Sequence, residues 1–553
     1  MAGPSAQGGR GAHVWTSARS AAGRHSPWLI ATIISISAFM EVLDTAIANV
    51  SLQHIAGSLA VSYDESTWVL TSYLIANAVV VPASSWLSNV VGRKRYYMVS
   101  VGLFTISSLL CGFAPSLTFL ITARVAQGIG GGGLAPVTQA MLVDSFPPQS
   151  RGRAMSVYGM TVILAPMLGP LLGGYITDHF SWHWIFFINV PIGFLSLSLV
   201  QRYVDEPPLL VEERKARWRQ GIRFDVLGAS LIALGLAALE VMTDRGVVDD
   251  WFASPVIRTA AIVSGVCIVG FVVWELFARE PLLEIRLFKN RNFAIGVLII
   301  MVIGVILFGT TQFLPQFLQE VMHYTSERAG LALTLGGMIT MVSMPLAGML
   351  SGRTRPRNMM WGAFAVIGVS LWMMSHFAVT VTFDQVAYAR AWQSAGIPFL
   401  FVPLMTAAYV GVPANRTGNA AAMIAVARNV GGSIGIAMVQ ALLARREQFH
   451  QERLVSRLQP LNAPYMHAVH ALTRLLMSRG AAPAAASRIA VGQIYVWMQR
   501  QAMMMSFDDV FWALMVFVIV IAPLLLLLRP PPAHHGHGAA AADDSNAVAE
   551  VPL

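Results

Sequence analysis

Residues 165–174 read Ala165-Pro166-Met167-Leu168-Gly169-Pro170-Leu171-Leu172-Gly173-Gly174, inside an apolar segment at 154–177 that is long enough to cross a bilayer. Two prolines and three glycines in ten residues would weaken a helix in water badly. In a membrane, neighbouring helices can satisfy the backbone groups that such residues leave free. Ala165, Gly169 and Gly173 share one helical face, where a second backbone can approach closely. The stretch therefore predicts a membrane helix in a tight helix–helix crossing.

The composition indicates a polytopic membrane protein. Of 553 residues, 56% are hydrophobic and only 12% are charged, whereas a soluble domain carries about 25% charged residues. The net charge of +9 comes from basic residues scattered in short loops, which is typical of membrane topology rather than of nucleic-acid binding. Both cysteines, Cys111 and Cys267, lie in apolar segments, so the sequence predicts no disulfide framework and no metal site.

Apolar runs of about 20 residues predict fourteen transmembrane helices. They cover residues 28–50, 67–89, 96–115, 117–141, 154–177, 183–203, 225–243, 257–278, 293–316, 328–350, 358–380, 386–411, 420–443 and 510–528. Basic clusters fall in alternate loops, so both termini are expected in the cytoplasm. The fold class predicted is an all-α polytopic membrane protein with two pseudo-symmetric six-helix halves and two inserted helices.

The predicted domain organisation follows from these segments. It comprises a disordered cytoplasmic arm (1–27), an N-terminal six-helix half (28–203), a basic cytoplasmic loop (204–224), two inserted helices (225–278), a C-terminal six-helix half (293–528) and a disordered cytoplasmic tail (529–553). The last half includes a long external loop, 444–509, with partial helical periodicity. We interpret this loop as a helical cap over the external mouth; a docking surface for a periplasmic partner is the alternative.

An internal repeat supports the two halves. Residues 123–130, ARVAQGIG, resemble residues 389–396, ARAWQSAG. Ala165 and Gly169 find counterparts in Gly431 and Gly435. Repeated halves are a mark of secondary transporters, with the substrate path between them near the membrane midplane.

Four motifs, in order along the chain, carry a resemblance to a known family. They are residues 43–50 (LDTAIANV), 124–131 (RVAQGIGG), 166–174 with Pro166, Gly169, Pro170, Gly173 and Gly174, and 184–193 (WIFFINVPIG). The chain resembles the fourteen-span drug:proton antiporters of the EmrB/QacA type in the major facilitator superfamily. This resemblance implies proton-coupled efflux of drugs or amphipathic compounds by alternating access. An exporter of one organic acid or secondary metabolite is the alternative on the same fold.

The resemblance has two departures. The loop after the second predicted helix keeps Gly92, Arg93 and Lys94, but Asn89 stands where the superfamily pattern has Asp. Asn89 carries no charge, which puts the usual ionic latch between the halves in doubt. His183 replaces a common Arg between two tryptophans; we interpret it as an external interfacial residue, although a histidine there could titrate near neutral pH.

Charged residues inside the membrane are the candidates for proton coupling. Glu41 and Asp44 lie three residues apart on one face of the first helix. The resemblance favours Asp44 as the coupling acid, with Glu41 as its partner or as a cation-binding carboxylate. The alternative is that one of them only pairs with a buried arginine. The resemblance assigns Arg124 to proton transfer or to holding the carboxylate.

The other buried charges receive structural interpretations. Arg390 is the repeat counterpart of Arg124, and Arg428 lies on the thirteenth helix; structural roles are favoured for both, and for Arg124 a purely structural role is the alternative. Glu240 lies near the outer end of its helix, where snorkelling explains it. The chain has no GxxxxGK[ST] motif, so ATP drive is not expected.

The remaining expectations concern the setting of the protein. The sequence predicts a monomeric transporter, not an enzyme, without a cofactor and driven by the proton gradient. The resemblance implies a bacterial inner membrane, small lipophilic substrates, contact with lipid, no nucleic-acid partner and, in a host with two membranes, a periplasmic adaptor and an outer-membrane channel.

Overall fold

The computed structural model describes residues 26–528 apart from 148–149, 207, 221–223, 279–280, 352, 414–415 and 460–461, and these residues form helices and no strands. The predicted arm and tail therefore lie outside the described residues, except for positions 26 and 27. Eleven α-helices come from the first part of the chain. They are α1 (Pro27–Val50), α2 (Leu52–Leu59), α3 (Tyr63–Ser66), α4 (Trp68–Val91), α5 (Arg93–Gly112), α6 (Leu117–Gly131), α7 (Leu134–Ser145), α8 (Arg151–His179), α9 (Trp184–Phe187), α10 (Asn189–Tyr203) and α11 (Pro208–Gln220).

Nine further α-helices follow. They are α12 (Val226–Arg245), α13 (Pro255–Phe277), α14 (Arg291–Gln316), α15 (Ser326–Ser351), α16 (Pro356–Met374), α17 (Phe383–Ala408), α18 (Thr417–Val455), α19 (Ala463–Ser478) and α20 (Pro483–Ile521). Short 3-10 turns lie at Trp251–Ala253, Ile285–Lys289 and Ala522–Leu527, and a π turn at Phe317–Val321 extends α14.

Ten helical stretches of the described chain are long and apolar enough to cross a membrane. The other four predicted crossings, 96–115, 117–141, 358–380 and 386–411, are also helical, in α5, α6–α7, α16 and α17. Helices α6 and α7 contain 15 and 12 residues, so neither spans a bilayer alone. The predicted all-helical membrane fold is confirmed, and the count of fourteen stays a prediction.

The predicted tight crossing joins α8 to α1. A Cβ placed on Gly169 would collide with Ala46 of α1, so only glycine lets the two backbones meet there. The repeat counterpart behaves alike, because a Cβ on Gly435 of α18 would lie 2.6 Å from the Cα of Val305 on α14. The glycine pattern thus sets two equivalent close helix pairs, as expected for small residues at membrane interfaces.

Helix packing follows the same plan in both parts of the chain. In the N-terminal part, α1 packs on α8, and α4 and α5 both pack on α6. In the C-terminal part, α14 packs on α18, and α15 and α16 both pack on α17. The two parts meet where α8 contacts α15 and where α4 contacts α18. The helices predicted to be inserted, α12 and α13, pack on each other, and α12 also packs on both α4 and α18.

The segments predicted as loops contain helices. Helix α11 lies within the predicted basic loop, and residues 444–509 consist of the ends of α18 and α20 with α19 between them. Helices α18 and α20 each have 39 residues, or about 58 Å, against a hydrocarbon core of about 30 Å. Asp509 of α20 ties them together through Arg446 and His450 of α18, each at 2.6 Å. Helix α19 packs on α20 as part of this helical extension.

Candidate functional site

The centre of the candidate site is an ion pair between α1 and α6. Asp44 is 2% exposed and Arg124 is fully buried. Nη1 of Arg124 lies 2.5 Å from Oδ2 of Asp44. The two residues predicted from separate motifs are thus in direct contact, and the carboxylate that the resemblance favoured is the one that meets the arginine. Both charges are desolvated, so removal of either would leave the other buried without its partner.

Two amides complete the shell around Asp44. Nε2 of Gln127 donates to Oδ1 of Asp44 at 2.9 Å, and Nδ2 of Asn189 donates to the same oxygen at 2.7 Å. Asn189 also donates to Ser108 at 3.0 Å. Helices α6 and α10 therefore reach the carboxylate on α1, and α5 contacts the amide of Asn189 through Ser108. The motif residues 43–50, 124–131 and 184–193 converge here: the first contributes Asp44, the second Arg124 and Gln127, and the third Asn189.

The guanidinium of Arg124 is held on several sides. Its Nε donates to the carbonyl oxygen of Val69 at 3.0 Å, and its Nη1 donates to Oε1 of Gln127 at 2.8 Å. The ring of Tyr73 lies 4.3 Å from its Cζ, within the range of a cation–π contact. These contacts come from α4 and α6, so the arginine is oriented independently of the helix that carries Asp44.

Glu41 has a different environment from Asp44. It is 8% exposed and accepts one hydrogen bond, at 3.1 Å, from Nδ2 of Asn77 on α4. Its second oxygen, Oε2, is buried without a hydrogen-bond partner. The charges of Asp44 and Arg428 both act on Glu41, but neither contacts it. The two carboxylates therefore do not share one site, although they lie on one face of α1.

The repeat counterpart of Arg124 lacks an acidic partner. Arg390 is fully buried, and its Nη1 donates to Oγ1 of Thr310 at 3.0 Å and to Gln393. Its Nη2 donates to Oγ1 of Thr311 at 2.9 Å. All of these acceptors are neutral, and no carboxylate among the described residues forms an ion pair with Arg390.

Arg428 connects α18 to α8. Its Nη1 donates to the hydroxyl of Tyr158 at 2.8 Å, and Nε2 of Gln139 on α7 donates to the same hydroxyl at 2.8 Å. The residue is 5% exposed. Its hydrogen bond to Tyr158 joins the C-terminal part of the chain to the N-terminal part. Such a contact suits the structural role predicted for Arg428.

The loop motif forms a second polar centre at the start of α5. Arg93 forms a buried ion pair with Asp144 of α7, and its Nη2 donates to Oγ1 of Thr417, which donates to Asp144 at 3.0 Å. Oδ1 of Asn89 lies beside Gly418, in the first turn of α18. The sequence interpretation missed Asp144. The Arg93–Asp144 ion pair therefore lies within the N-terminal part of the chain, and the hydroxyl of Thr417 on α18 links it to the C-terminal part through two hydrogen bonds.

The rest of that motif shapes the turn and fastens the neighbouring helices. Gly92 has a φ of +104°, which L residues with side chains rarely adopt, so glycine is required there. Nζ of Lys94 donates to the carbonyl oxygen of Gln201 on α10 at 3.0 Å. Nearby, Arg214 of α11 pairs with Glu206 at 2.6 Å.

Two sequence interpretations concern residues away from this site. Glu240 does not snorkel; it is 5% exposed and contacts Ser433 of α18. The reason is that α12 packs between α4 and α18, which a single-helix pattern could not show. His183 stacks on Trp182 and contacts Ser181 at 2.7 Å. Partial burial lowers the pKa of His183 from its ordinary value.

Residues that sequence reasoning missed are mostly uncharged. Gln127 and Asn189 bind Asp44, yet they were quoted only as parts of motifs; a polar amide within an apolar run was the available signal. In the described part of the chain, no group of three or more His, Cys, Asp or Glu side chains is arranged to hold a metal ion.

Comparisons with known proteins agree with this architecture. The family model of the Major Facilitator Superfamily matches residues 34–436. The chain is 36% identical over 451 residues to "Multidrug export protein EmrB" of Haemophilus influenzae, covering 81% of this chain and 87% of that protein. It is 35% identical over 432 residues to "Fatty acid resistance protein FarB" of Neisseria gonorrhoeae, covering 78% of this chain and 83% of that protein.

A solved structure shows the same fold. The proton:xylose symporter XylE superposes with a TM-score of 0.54 at 13% sequence identity, covering 91% of this chain and 99% of that chain. At this identity the likeness concerns the fold alone. The resemblance that the four motifs predicted is confirmed by the family match and by the relatives. The chain is a multi-pass inner-membrane protein that belongs to the Major Facilitator Superfamily and, within it, to the family of the EmrB multidrug export proteins.

Proposed function

We propose that this protein exports drugs and other amphipathic compounds in exchange for protons, by alternating access. The observation that carries the proposal is the buried Asp44–Arg124 pair with Gln127 and Asn189 around it. A carboxylate in this position can lose its ion pair when it binds a proton, so protonation is linked to the side-chain contact that joins α1 to α6. The names of the relatives, multidrug export and fatty acid resistance, support the substrate class.

Glu41 is the second acid in this mechanism. Its carboxylate has one amide donor and one buried oxygen without a partner, so the ionised form is poorly stabilised by hydrogen bonds. Asp44, by contrast, has a cation and two amide donors. We infer that Glu41 takes up a proton more readily, or pairs with the cationic group of a substrate, while Asp44 controls the position of Arg124.

The proposed transport cycle uses fourteen membrane crossings. We assign them to α1, α4, α5, α6–α7, α8, α9–α10, α12, α13, α14, α15, α16, α17, α18 and the apolar end of α20. The repeated packing of α1 on α8 and of α14 on α18 supports two six-helix halves, with α12 and α13 inserted between them. The contacts of α8 with α15 and of α4 with α18 would then open and close alternately. The basic motif at Arg93 supports cytoplasmic termini by the positive-inside rule.

Export across two membranes would require further proteins. We propose that the helical extension formed by α19 and the first part of α20 contacts a periplasmic adaptor, which in turn reaches an outer-membrane channel. Apolar side chains exposed there, such as Val496 and Trp497 at 57% and 53%, support this assignment. The chain itself is proposed to act as a monomer, because both halves of the path belong to it.

Proton flux in inverted membrane vesicles tests the proposed function. An imposed proton gradient should collapse when a lipophilic cation is added to vesicles with the wild-type protein. Asp44→Asn should abolish this response, because it removes the negative charge but keeps the shape of the side chain. Asp178→Asn is the matched control, since Asp178 is an exposed carboxylate paired loosely with His54 at 3.6 Å. A normal response of Asp44→Asn would overturn the coupling role of Asp44.

Export of organic acids is the second candidate function. The observation that favours it is Arg390, a buried cation that meets neutral oxygens only. The same vesicles with a panel of fatty acids test it. If acids are substrates held by this arginine, Arg390→Gln should abolish the response to acids and spare the response to cations. Equal effects on both classes would exclude this role.

A further inference from the structure

The inserted helix α12 attaches to both parts of the chain through acid–hydroxyl contacts. Glu240 of α12 contacts Ser433 of α18, with Oγ of Ser433 lying 2.8 Å from Oε1 and 2.9 Å from Oε2. One turn further along, Asp244 accepts a hydrogen bond from Oγ1 of Thr71 on α4. Helices α4 and α18 are in contact with each other, and α12 packs against both of them.

Counting hydrogens shows which form of Glu240 fits this site. Ser433 has one hydroxyl hydrogen, yet its Oγ is within hydrogen-bond distance of three acceptors, the two Glu240 oxygens and, at 3.2 Å, the carbonyl oxygen of Asn429. An ionised Glu240 would compete with that carbonyl for a single hydrogen. A protonated Glu240 donates to Oγ of Ser433, and Ser433 then donates to Asn429, so the donors of both side chains are used.

The electrostatic surroundings agree with this count. Glu240 is 5% exposed, and it forms no ion pair with any described residue. A carboxylate held within the membrane without a cation is costly, so the neutral form is favoured.

The charged groups around Glu240 can be followed helix by helix. On α12 itself, the charge of Asp244 acts on Glu240. Arg245 donates to the backbone carbonyl oxygen of Asp64 and to the hydroxyl of Thr67, and it forms an ion pair with Asp249. Helix α4 contains no Asp, Glu, Lys or Arg. On α18, Arg428 donates to Tyr158 of α8. On α13, Glu275 accepts from the backbone of Leu282, and Arg258 lies in the first turn of the helix.

We propose that Glu240 is a further proton-binding site, separate from Asp44 and Glu41, and that its proton fastens α12 to α18. Release of the proton leaves a carboxylate without a cation inside the membrane; this charge is costly there and is stabilised by moving towards water, which loosens α12 from α18. The inserted helices then respond to protons directly and are not passive additions. The role of this step in transport rests on the proposed proton-coupled export, whereas the protonation of Glu240 itself does not.

Distance measurements between α12 and α18 test the proposal. The full-length protein, with Cys111 and Cys267 replaced by Ser, is labelled with spin labels at L234C and M438C, two exposed positions on these helices, and is reconstituted in liposomes. In the parent protein the distance should lengthen as the pH rises from mildly acidic to mildly alkaline. Glu240→Gln should keep the short distance at every pH, because its amide donates to Ser433 permanently.

Two further variants make the outcome decisive. Glu275→Gln is the matched control, since it neutralises a buried carboxylate on the other inserted helix, and it should behave like the parent protein. Ser433→Ala should give the loosened distance at every pH, because it removes the acceptor. A pH response that survives Glu240→Gln, or no pH response in the parent protein, overturns the proposal.

Infrared difference spectra of the same liposomes report protonation independently of transport. Part of the carbonyl band of protonated carboxylic acids should disappear in Glu240→Gln. An unchanged band means that Glu240 is ionised and overturns the proposal. If the band and the distances behave as expected but no substrate moves protons in vesicles, the proposed export has failed and the protonation of Glu240 stands.

Discussion

Two constellations of the molecule share one geometry and differ in one charge. Arg124 meets Gln127 three residues later and Asp44 eighty residues earlier, whereas Arg390 meets Gln393 and Thr310 at the same two separations. Both arginines are fully buried. The repeat has therefore kept the arginine and the glutamine and has replaced the aspartate by threonine.

The difference shows how a repeated framework becomes asymmetric in charge. Leu307 lies three residues before Thr310, as Glu41 lies three before Asp44, so neither carboxylate of α1 has an acidic counterpart on α14. An arginine stays protonated at any physiological pH, so Arg390 carries a fixed charge among neutral oxygens. Near Arg124 the net charge changes when a carboxylate binds a proton. In the proposed mechanism, proton chemistry therefore belongs to the Asp44–Arg124 constellation, and the Arg390 constellation presents a constant positive charge.

The largest effect is expected from breaking the charged pair. Asp44→Asn leaves Arg124 buried without its partner, which should lower the free energy of unfolding by about 3–5 kcal/mol. The matched change Thr310→Val removes only a neutral acceptor from Arg390 and should cost about 1–3 kcal/mol. Thermal unfolding of both variants in the same detergent measures the comparison. Equal losses of unfolding free energy would mean that the charge of Asp44 adds no stability beyond that of a neutral acceptor.

Restoring the missing charge should sharpen the comparison. Thr310→Asp places a carboxylate beside Arg390, where a charge-assisted hydrogen bond stabilises by about 1.5–3 kcal/mol. We expect a higher unfolding temperature than for the wild type. The double variant Thr310→Asp with Arg390→Gln serves as the control, because its new carboxylate has no cation. If the single variant is as unstable as the double variant, the new carboxylate gains nothing from Arg390, and the prediction that Arg390 can accept an acidic partner is wrong.

Substitution of the two glutamines should affect the two constellations to different extents. Both variants delete an acceptor of an arginine. Gln127→Ala also deletes a donor to the Asp44 carboxylate, whereas Gln393→Ala also deletes a donor to the neutral hydroxyl of Thr310. Hydrogen bonds to charged groups are worth about 1.5–3 kcal/mol and those between neutral groups about 0.5–1.5 kcal/mol. Gln127→Ala should therefore slow substrate-driven proton flux in vesicles more than tenfold. A larger defect in Gln393→Ala would contradict the assignment of coupling to Asp44.

The smallest change in stability is expected for Glu41→Gln. The amide keeps an oxygen that accepts from Asn77, so the free energy of unfolding should change by less than about 1 kcal/mol. Proton-coupled transport should nevertheless fall, because the side chain no longer binds a proton. Vesicle flux and thermal unfolding, measured on one preparation, test both statements. A stable variant with full coupling would remove Glu41 from the mechanism.

Several features could be predicted from the sequence because they depend on local pattern. The apolar runs marked the helices, and the glycines at 169 and 435 marked two close helix pairs. The motifs around Asp44 and Arg124 indicated the polar site. The long helices α18 and α20 were underestimated, since their polar ends, at 444–455 and 483–509, do not resemble a membrane segment. A helix that leaves the membrane loses its apolar periodicity but keeps its backbone hydrogen bonds.

The sequence by itself determined that this is a helical membrane protein of a known family, with its buried charges on named helices. Only the tertiary structure decided which charges meet. Asp44 and Arg124 are eighty residues apart, Arg93 and Asp144 fifty-one, and Glu240 and Ser433 nearly two hundred. Local propensity has no information about such distances, because contacts between helices depend on how whole faces pack. The resemblance had suggested a carboxylate beside Arg124, but the partners of Arg93 and Glu240 were visible only once the helices were placed side by side.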